Sequence, residues 1–273
     1  MQLPIFQVDA FADRVFGGNP AAVCPLEAWL PAPVMQQIAA ENALAETAFL
    51  VPRGEAYEIR WFTPEIEMDL CGHATLAAAH VLARHGNCDR PSIQFLSPSG
   101  LLTVTITETL LTLDFPSRKP EPAVAPAEIL AAIAQAPIAV FKARDYLLVF
   151  EDEETIRALD PDQRQMDQIN LDPGGVIVTA PGKDADFVSR FFTPQASIFE
   201  DPVTGSAHCS LIPYWSEKLG KDSMQALQLS PRKGQLFCTN AGDRVLIGGQ
   251  AITYLAGTIT VCSGGKSAMQ SAT

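Results

Sequence analysis

The sequence contains few basic residues, no closely spaced cysteine pair and no long uninterrupted apolar run. Its 273 residues include 19 Lys and Arg against 31 Asp and Glu, a formal net charge of −12. Such a charge repels nucleic acid and anionic lipid, so neither is expected as a partner. None of the six cysteines lies in a CxxC pair. We therefore expect no zinc site and no thioredoxin-like redox motif.

The chain carries no segment that predicts membrane insertion or secretion. The most apolar long stretch, residues 123–140, is interrupted by Pro126, Glu128 and Pro137, so it does not predict a membrane span. The opening MQLPIFQVDAF has neither a positively charged nor a long apolar segment, so we expect no signal peptide. Scattered cysteines in a chain of this size are typical of reduced thiols. We therefore expect a cytoplasmic, globular protein.

Two landmarks of the first half recur in the second half. RWFTP at residues 60–64 returns as RFFTP at 190–194, an offset of 130. Gly72 opens GHAT and Gly205 opens GSAH, an offset of 133, and a mainly apolar run follows each motif. Recurrence in the same order and at nearly the same spacing indicates a duplicated unit.

The boundary between the repeated units is predicted near residue 120. Residues 116–127, PSRKPEPAVAPA, contain four prolines, a composition that favours an extended linker. We therefore predict two similar halves, residues 1–118 and 119–262. The small and polar residues 263–273 are predicted to form a disordered tail.

Hydrophobic patterning in the first half predicts both strands and helices. Strands are predicted at residues 5–11, 48–51, 59–62, 92–96 and 101–115. Helices are predicted at 33–43 and 72–85, and the second is apolar on nearly every side, which is typical of a buried helix. The predicted fold is α+β. It has two pseudo-symmetric domains, each a mostly antiparallel sheet curled around a central helix.

The two glycine motifs predict an anion-binding cleft. A helix that begins at Gly72 or Gly205 leaves its first amide N–H groups without intrahelical partners, and the helix dipole favours a negative charge there. If the two halves face each other, these helix ends form a cradle for a carboxylate-bearing substrate. The alternative is that both glycines only permit tight turns.

Glu46 is the strongest candidate for acid–base chemistry. It lies in the apolar run NALAETAFLV. A carboxyl group that is buried there holds its proton more tightly, which suits a general acid–base near neutral pH. The alternative is a glutamate that faces water. At the offset of 130 the second half has Val176, so only one half carries this acid.

Three residues beside the glycine motifs each have two interpretations. His73 is a structural histidine or a neutral, proton-relaying one, because a helix start disfavours its charged form. Asp201 caps the following helix or holds a substrate hydroxyl or amine. Cys71 is a buried thiol, or a base with the lowered pKa of a thiolate at a helix start. No cysteine matches it in the second half, so a two-thiol mechanism lacks its second thiol.

Five motifs together carry a family resemblance. They are VDAF at 8–11, GNP at 18–20, ETAF at 46–49, CGHAT at 71–75 and EDPVTGSAH at 200–208. With these motifs the chain resembles the PhzF family of phenazine biosynthesis-like proteins, within the diaminopimelate epimerase-like fold. The segment before the glutamate departs from the family, because it reads ALAET where NLSET is common.

The resemblance implies a homodimer whose active site lies between two domains and needs neither metal nor organic cofactor. The type member isomerises trans-2,3-dihydro-3-hydroxyanthranilate through one glutamate, which Glu46 matches. His73 and Asp201 match further catalytic or substrate-orienting residues. The expected substrate-binding residues are Asn19, Gly72, His73, Gly205 and Ser206.

The predicted function is a cofactor-independent isomerase that moves a proton on a small carboxylate substrate, with Glu46 as general acid and base. Two alternatives remain open at this point. One is an epimerase or racemase that uses Cys71. The other is a non-catalytic small-molecule-binding protein that has kept the fold.

Overall fold

The computed structural model describes residues 1–86, 88–171 and 174–261, which form seventeen strands and six helices. The first half contains β1 Gln2–Ala10, β2 Asn19–Pro25, α1 Ala32–Asn42, β3 Glu46–Arg53, β4 Ala56–Phe62, β5 Glu67–Met68, α2 Gly72–His85, β6 Ser92–Ser97, β7 Gly100–Ile106 and β8 Leu111–Pro116. The second half contains β9 Glu121–Pro122, α3 Ala127–Ile133, β10 Ala139–Lys142, β11 Tyr146–Val149, α4 Glu153–Ala158, α5 Gln163–Met166, β12 Val176–Pro181, β13 Phe187–Phe192, α6 Gly205–Leu219, β14 Ser223–Gln228, β15 Gly234–Ala241, β16 Arg244–Gly249 and β17 Ala251–Thr260.

The pairing of strands repeats along the chain. β2 runs parallel to β3, β3 antiparallel to β4, and β4 parallel to β6. The strands β11, β12, β13 and β14 repeat this order of pairings. An antiparallel meander then follows in each half, β6–β7–β8 and β14–β15–β16. Glu46 is the first residue of β3, and Val176 is the first residue of β12. Residues 130 apart in the sequence therefore occupy equivalent positions in the two halves at these strands.

The two halves are joined by pairs of strands. The short strand β9 pairs with β10 within the second half. β17 follows the meander of the second half and pairs with β1 from Gln2↔Thr260 to Ala10↔Ala251. β8 and β16 also pair, and all the described strands are connected into one sheet. The division between residues 118 and 119 is our proposal for where the duplicated units meet.

Each sheet curls around a buried helix. α2 is buried from Gly72 to Leu82 and contacts β1, β2, β3 and β8. α6 is buried over most of its length and contacts β14, β15 and β16. The alanines of α2 allow the strands to approach closely, because they bury apolar surface without bulk. The predicted fold class is confirmed, because the chain combines strands and helices and is mostly sheet.

One predicted strand is wrong. Residues 101–115 form the hairpin of β7 and β8 instead of a single strand. The chain reverses at 107–110, where the amide of Thr107 donates to the carbonyl oxygen of Leu110 at 2.9 Å. The hydroxyl oxygen of Thr107 in turn accepts the amide of Leu110 at 3.0 Å. Apolar residues alternate with polar ones on both sides of this turn. The sequence therefore predicts one continuous strand.

The other predicted elements of the first half lie within a few residues of their predicted positions. Between the end of β8 at Pro116 and the start of α3 at Ala127, the predicted linker contains only the two-residue strand β9. The predicted tail lies outside the described residues. Across the described residues, every helix is too short or too polar to cross a membrane.

Candidate active site

The N-termini of the two buried helices meet at their glycines. A Cβ built on Gly72 would lie 3.2 Å from the ring of Phe115 and 3.5 Å from the Cα of Gly205. Close approach of the two helices therefore favours glycine at both positions. Cys71 and Thr204 precede the helices without a capping side-chain hydrogen bond. The structure thus brings two sets of helix-terminal N–H groups, with the positive ends of two dipoles, to one place.

Glu46 and His73 form a close pair beside these helix ends. Glu46 begins β3, and His73 is the second residue of α2. Oε2 of Glu46 and Nε2 of His73 are 3.0 Å apart, and the two side chains are 16% and 5% exposed. Neither atom has a well-aligned hydrogen bond to the described residues. The burial expected for Glu46 is therefore incomplete, and its carboxylate has a fixed neighbour and an accessible edge.

The side chains around His73 favour its charged form, which is opposite to the effect of the helix start alone. Burial lowers its pKa, but Cys71 and the carboxylate of Glu46 outweigh burial and hold the pKa well above 6.5. The pKa of the Cys71 thiol is itself raised to about 11, so this thiol is uncharged at neutral pH. The carboxylate of Glu46 is therefore the neighbour that stabilises the imidazolium at neutral pH.

Cys71 does not have the environment of a reactive thiolate. Burial, together with the charge of Glu46, raises the pKa of its thiol to about 11, so the expectation of a lowered pKa is wrong. Its Sγ lies 3.6 Å from Nδ1 of His73. Glu46, Cys71 and His73 each offer one ligand atom within 4.8 Å of the other two, a donor set that Zn²⁺ accepts.

Asn19 joins the two halves across the site. It is fully buried, and its Nδ2 donates to Oδ1 of Asp201 at 2.7 Å and to the carbonyl oxygen of Val203 at 3.0 Å. The same nitrogen lies 3.1 Å from Nδ1 of His73. Since an amide has two hydrogens, the two oxygens take both. Oδ1 of Asn19 is buried and has no hydrogen-bond partner among the described residues.

Asp201 lies in the loop before α6 and does not cap that helix. Its carboxylate accepts the amide of Asn19 and, at 2.5 Å, the hydroxyl of Thr204. Burial raises the pKa of Asp201 to about 6, while the charge of His73 and these hydrogen bonds limit the rise. The structure therefore brings together a carboxyl group that is partly protonated near neutral pH, a charged imidazole and the carboxylate of Glu46.

Two buried residues that the sequence analysis missed hold this loop. Oε1 of Gln228 accepts the amide of Thr204 at 2.8 Å, and its Nε2 donates to the carbonyl oxygen of Asp201 at 2.8 Å. The hydroxyl of Ser230 donates to the carbonyl oxygen of Pro202 at 2.8 Å. Gln228 ends β14 and Ser230 follows it, in the segment QLSPRKG, whose composition is that of an ordinary turn.

The other histidines have structural contacts. His80 and His85 each lie 2.9 Å from the hydroxyl of Thr253. His208 lies 2.8 Å from the carbonyl oxygen of Thr204. Burial lowers the pKa of both His80 and His208 to about 4, so both are neutral at physiological pH.

Comparisons with known proteins agree with this architecture. The family model PhzC-PhzF, described as phenazine biosynthesis-like protein, matches residues 8–257. Two uncharacterized isomerases of Pseudomonas aeruginosa are 51% identical over 259 residues and 50% identical over 260. Each alignment covers 95% of this chain and 99% of the relative. The crystal structure of a PhzF family protein from Enterococcus faecalis superposes with a TM-score of 0.92 at 48% identity, covering 96% of this chain and 100% of that chain.

These relatives confirm the isomerase class that the resemblance predicted. The match extends over nearly the whole chain and includes both helix starts, Glu46 and the loop that carries Asp201. The chain therefore belongs to the phenazine biosynthesis-like family, PhzC-PhzF.

Proposed function

We propose that the enzyme is a cofactor-independent isomerase that moves a proton on a small carboxylate substrate, with Glu46 as general acid and base. The observation that carries the proposal is the Glu46–His73 pair, 3.0 Å apart, on the helix start that meets the start of α6. An acid–base group beside an anion-binding site supplies both requirements for removing a proton close to a carboxylate.

The substrate carboxylate is expected to bind at the paired helix starts. The backbone N–H groups of Gly72, His73, Gly205 and Ser206 are the proposed donors. They also face the negative charge that develops when a neighbouring carbon loses its proton. They therefore stabilise the transition state more than the bound substrate, which is the condition for catalysis.

The proposed reaction is a proton shift within a conjugated system. The carboxylate of Glu46 removes a proton from carbon, and the electron pair of the C–H bond enters the conjugated system. Glu46, now a carboxylic acid, delivers the proton to another carbon of that system. Atoms and electrons balance without a co-reactant. His73 holds the carboxylate of Glu46, and Asp201, held by Asn19, accepts a hydrogen bond from a substrate hydroxyl or amine.

An epimerase that uses Cys71 is the second candidate, and two observations disfavour it. The pKa of the thiol is raised to about 11, so the thiolate is scarce at neutral pH. Thr204 occupies the equivalent position before α6, where a second thiol would be needed.

Proton exchange in D₂O, followed by NMR, tests the assignment. The panel contains small carboxylates, including trans-2,3-dihydro-3-hydroxyanthranilate and diaminopimelate, each with and without EDTA. Glu46→Gln keeps the size of the side chain and removes the base, so exchange should fall by about 10²- to 10⁴-fold. Cys71→Ala and the control Cys88→Ala should stay within a few-fold of the wild type. EDTA should have no effect, because no step uses a metal.

Other outcomes would replace the proposal. Exchange that survives Glu46→Gln and is lost in Cys71→Ala would support the epimerase. Binding of a panel compound to the wild type without exchange at any carbon would support the non-catalytic binding protein. We also propose a cytoplasmic homodimer, and size-exclusion chromatography with light scattering tests the oligomeric state.

A further inference from the structure

The loop of residues 11–18, directly before Asn19, has a conformation that its surroundings must impose. Phe11 and Phe16 adopt left-handed backbone angles, with φ of 61° and 71°. Gly18 has φ of 60°, and a Cβ there would overlap the carbonyl oxygen of Ala10. Such backbone conformations are unfavourable for residues with side chains and persist only where other contacts hold them.

Arg232 supplies those contacts from the other half of the chain. It lies in the turn between β14 and β15. Its Nε donates to the carbonyl oxygen of Gly18 at 2.9 Å, and its Nη2 to that of Gly17 at 2.8 Å. The amide of Gly18 donates in return to the carbonyl oxygen of Lys233 at 2.7 Å. Both the carbonyl oxygen and the amide of Gly18 are therefore hydrogen-bonded to the turn between β14 and β15.

Asp9 is the buried anchor of this arrangement. Its side chain is 2% exposed, yet both carboxylate oxygens are bonded. Oδ1 accepts Nη2 of Arg232 at 2.8 Å, and Oδ2 accepts the amide of Phe16 at 2.8 Å. Asp9 belongs to the VDAF motif, to which the proposed reaction assigns no role. A buried carboxylate is costly without a charged partner, so Asp9 and Arg232 depend on each other.

The turn that carries Arg232 also holds the loop of Asp201. Ser230 bonds the carbonyl oxygen of Pro202, and Gln228 bonds both ends of the segment 201–204. One segment, residues 228–233, therefore fixes two loops. These loops meet where the amide of Asn19 donates to the carboxylate of Asp201.

We propose that Arg232 is a positioning residue of the enzyme, which sets Asn19 against Asp201 through Asp9 and the loop 11–18. Only the predicted change in kinetics rests on the proposed function. The position of Asn19 also changes the hydrogen bonding of Asp201, and this consequence is measurable without a substrate.

The test uses the full-length variants Arg232→Met, Arg232→Lys, Asp9→Asn and the double variant Arg232→Met/Asp9→Asn. Arg244→Met is the matched control, because Arg244 on β16 also joins the two halves. Its Nε bonds Oδ1 of Asp114 on β8 at 2.8 Å. Urea unfolding measures stability for each variant. NMR of the protein with ¹³C-labelled aspartate measures the titration of Asp201, and Asp201→Asn assigns its signal.

We expect Arg232→Met to change kcat and the Asp201 midpoint, whereas the control Arg244→Met should change stability only. Arg232→Met should lower kcat by about 10- to 100-fold with a smaller change in KM, since a displacement of about 1 Å costs that much. It should also raise the midpoint for Asp201 above about 6, because the carboxylate loses the donor Asn19, while His73 and Glu46 still face it. Arg232→Lys should restore stability more than kcat. The double variant should lose less stability than the sum of the single variants.

The proposal is overturned if Arg232→Met and Arg244→Met lower stability alike while kcat, KM and the Asp201 midpoint stay at wild-type values. If Arg232→Met fails to fold, Arg232→Lys and Asp9→Asn provide the same comparison. A shifted midpoint in an enzyme whose exchange survives Glu46→Gln would refute the proposed catalytic role of Glu46 and leave the positioning role in place.

Discussion

Replacing Asp201 by asparagine should stabilise the folded protein at neutral pH while lowering its activity. Burial raises the pKa of this carboxyl from 3.8 to about 6, so the folded state binds its proton more tightly than the unfolded state does. A rise of about 2 corresponds to about 3 kcal/mol. This is the free energy by which the ionised carboxylate destabilises the fold above pH 6.

The sign of the pH dependence follows from the two pKa values. Below about 3.8 the carboxyl is protonated in both states. Between 3.8 and about 6 the unfolded chain loses its proton first, so the free energy of unfolding falls as pH rises and levels off above 6. Asparagine does not titrate. It can still accept from Asn19 and donate to the hydroxyl of Thr204, so the hydrogen bonds survive.

The assay is urea unfolding of the wild type and Asp201→Asn at pH values above and below this window. The variant should gain up to about 3 kcal/mol at neutral pH and almost nothing in acid. Exchange activity should fall, because the substrate loses an ionised acceptor; gains in stability at such sites commonly cost function. Asp160→Asn, at an exposed position, is the control and should change neither quantity. A loss of stability at neutral pH, or equal changes at both pH values, would refute the reasoning.

Two further substitutions test the supports of the site. Gly72→Ala places a methyl group 3.2 Å from Phe115 and 3.5 Å from Gly205. It should therefore raise the KM measured by exchange kinetics about tenfold. The free energy of unfolding should change by only about 1 kcal/mol. Gln228→Met leaves the amide of Thr204 and the carbonyl oxygen of Asp201 without their partner, so urea unfolding should show a loss of about 2 kcal/mol or more. Equal KM values for Gly72→Ala and the wild type, or unchanged stability of Gln228→Met, would contradict these expectations.

The elements that the sequence predicts well are those with a local or a repeated signal. The apolar run after Gly72 predicts a buried helix, and α2 is buried over the same residues. The recurrence of RWFTP and of the glycine motif predicts a duplicated architecture, and the strand pairings repeat in that order. The meeting of the two helix starts follows from the same repeat, because each half contributes one glycine.

The features that the sequence does not reveal depend on distant partners. The charge of His73 depends on Glu46, which lies on another element, and the local helix start suggests the opposite protonation. The raised pKa of Cys71 depends on burial that only the folded chain creates. Arg232 lies in an ordinary turn, and its importance is visible only once the loop 11–18 lies against it.

The pairing of β17, in the second half, with β1, in the first half, has a consequence for folding. β1 cannot complete its backbone hydrogen bonds until β17, at the far end of the described chain, has arrived. Pairings between such distant residues close large loops and slow the folding reaction. A ribosome must release residues 1–260 before this edge is covered, and an uncovered edge is a template for aggregation. The first half synthesised alone should therefore need the β17 segment, supplied as a separate peptide, to become a stable domain.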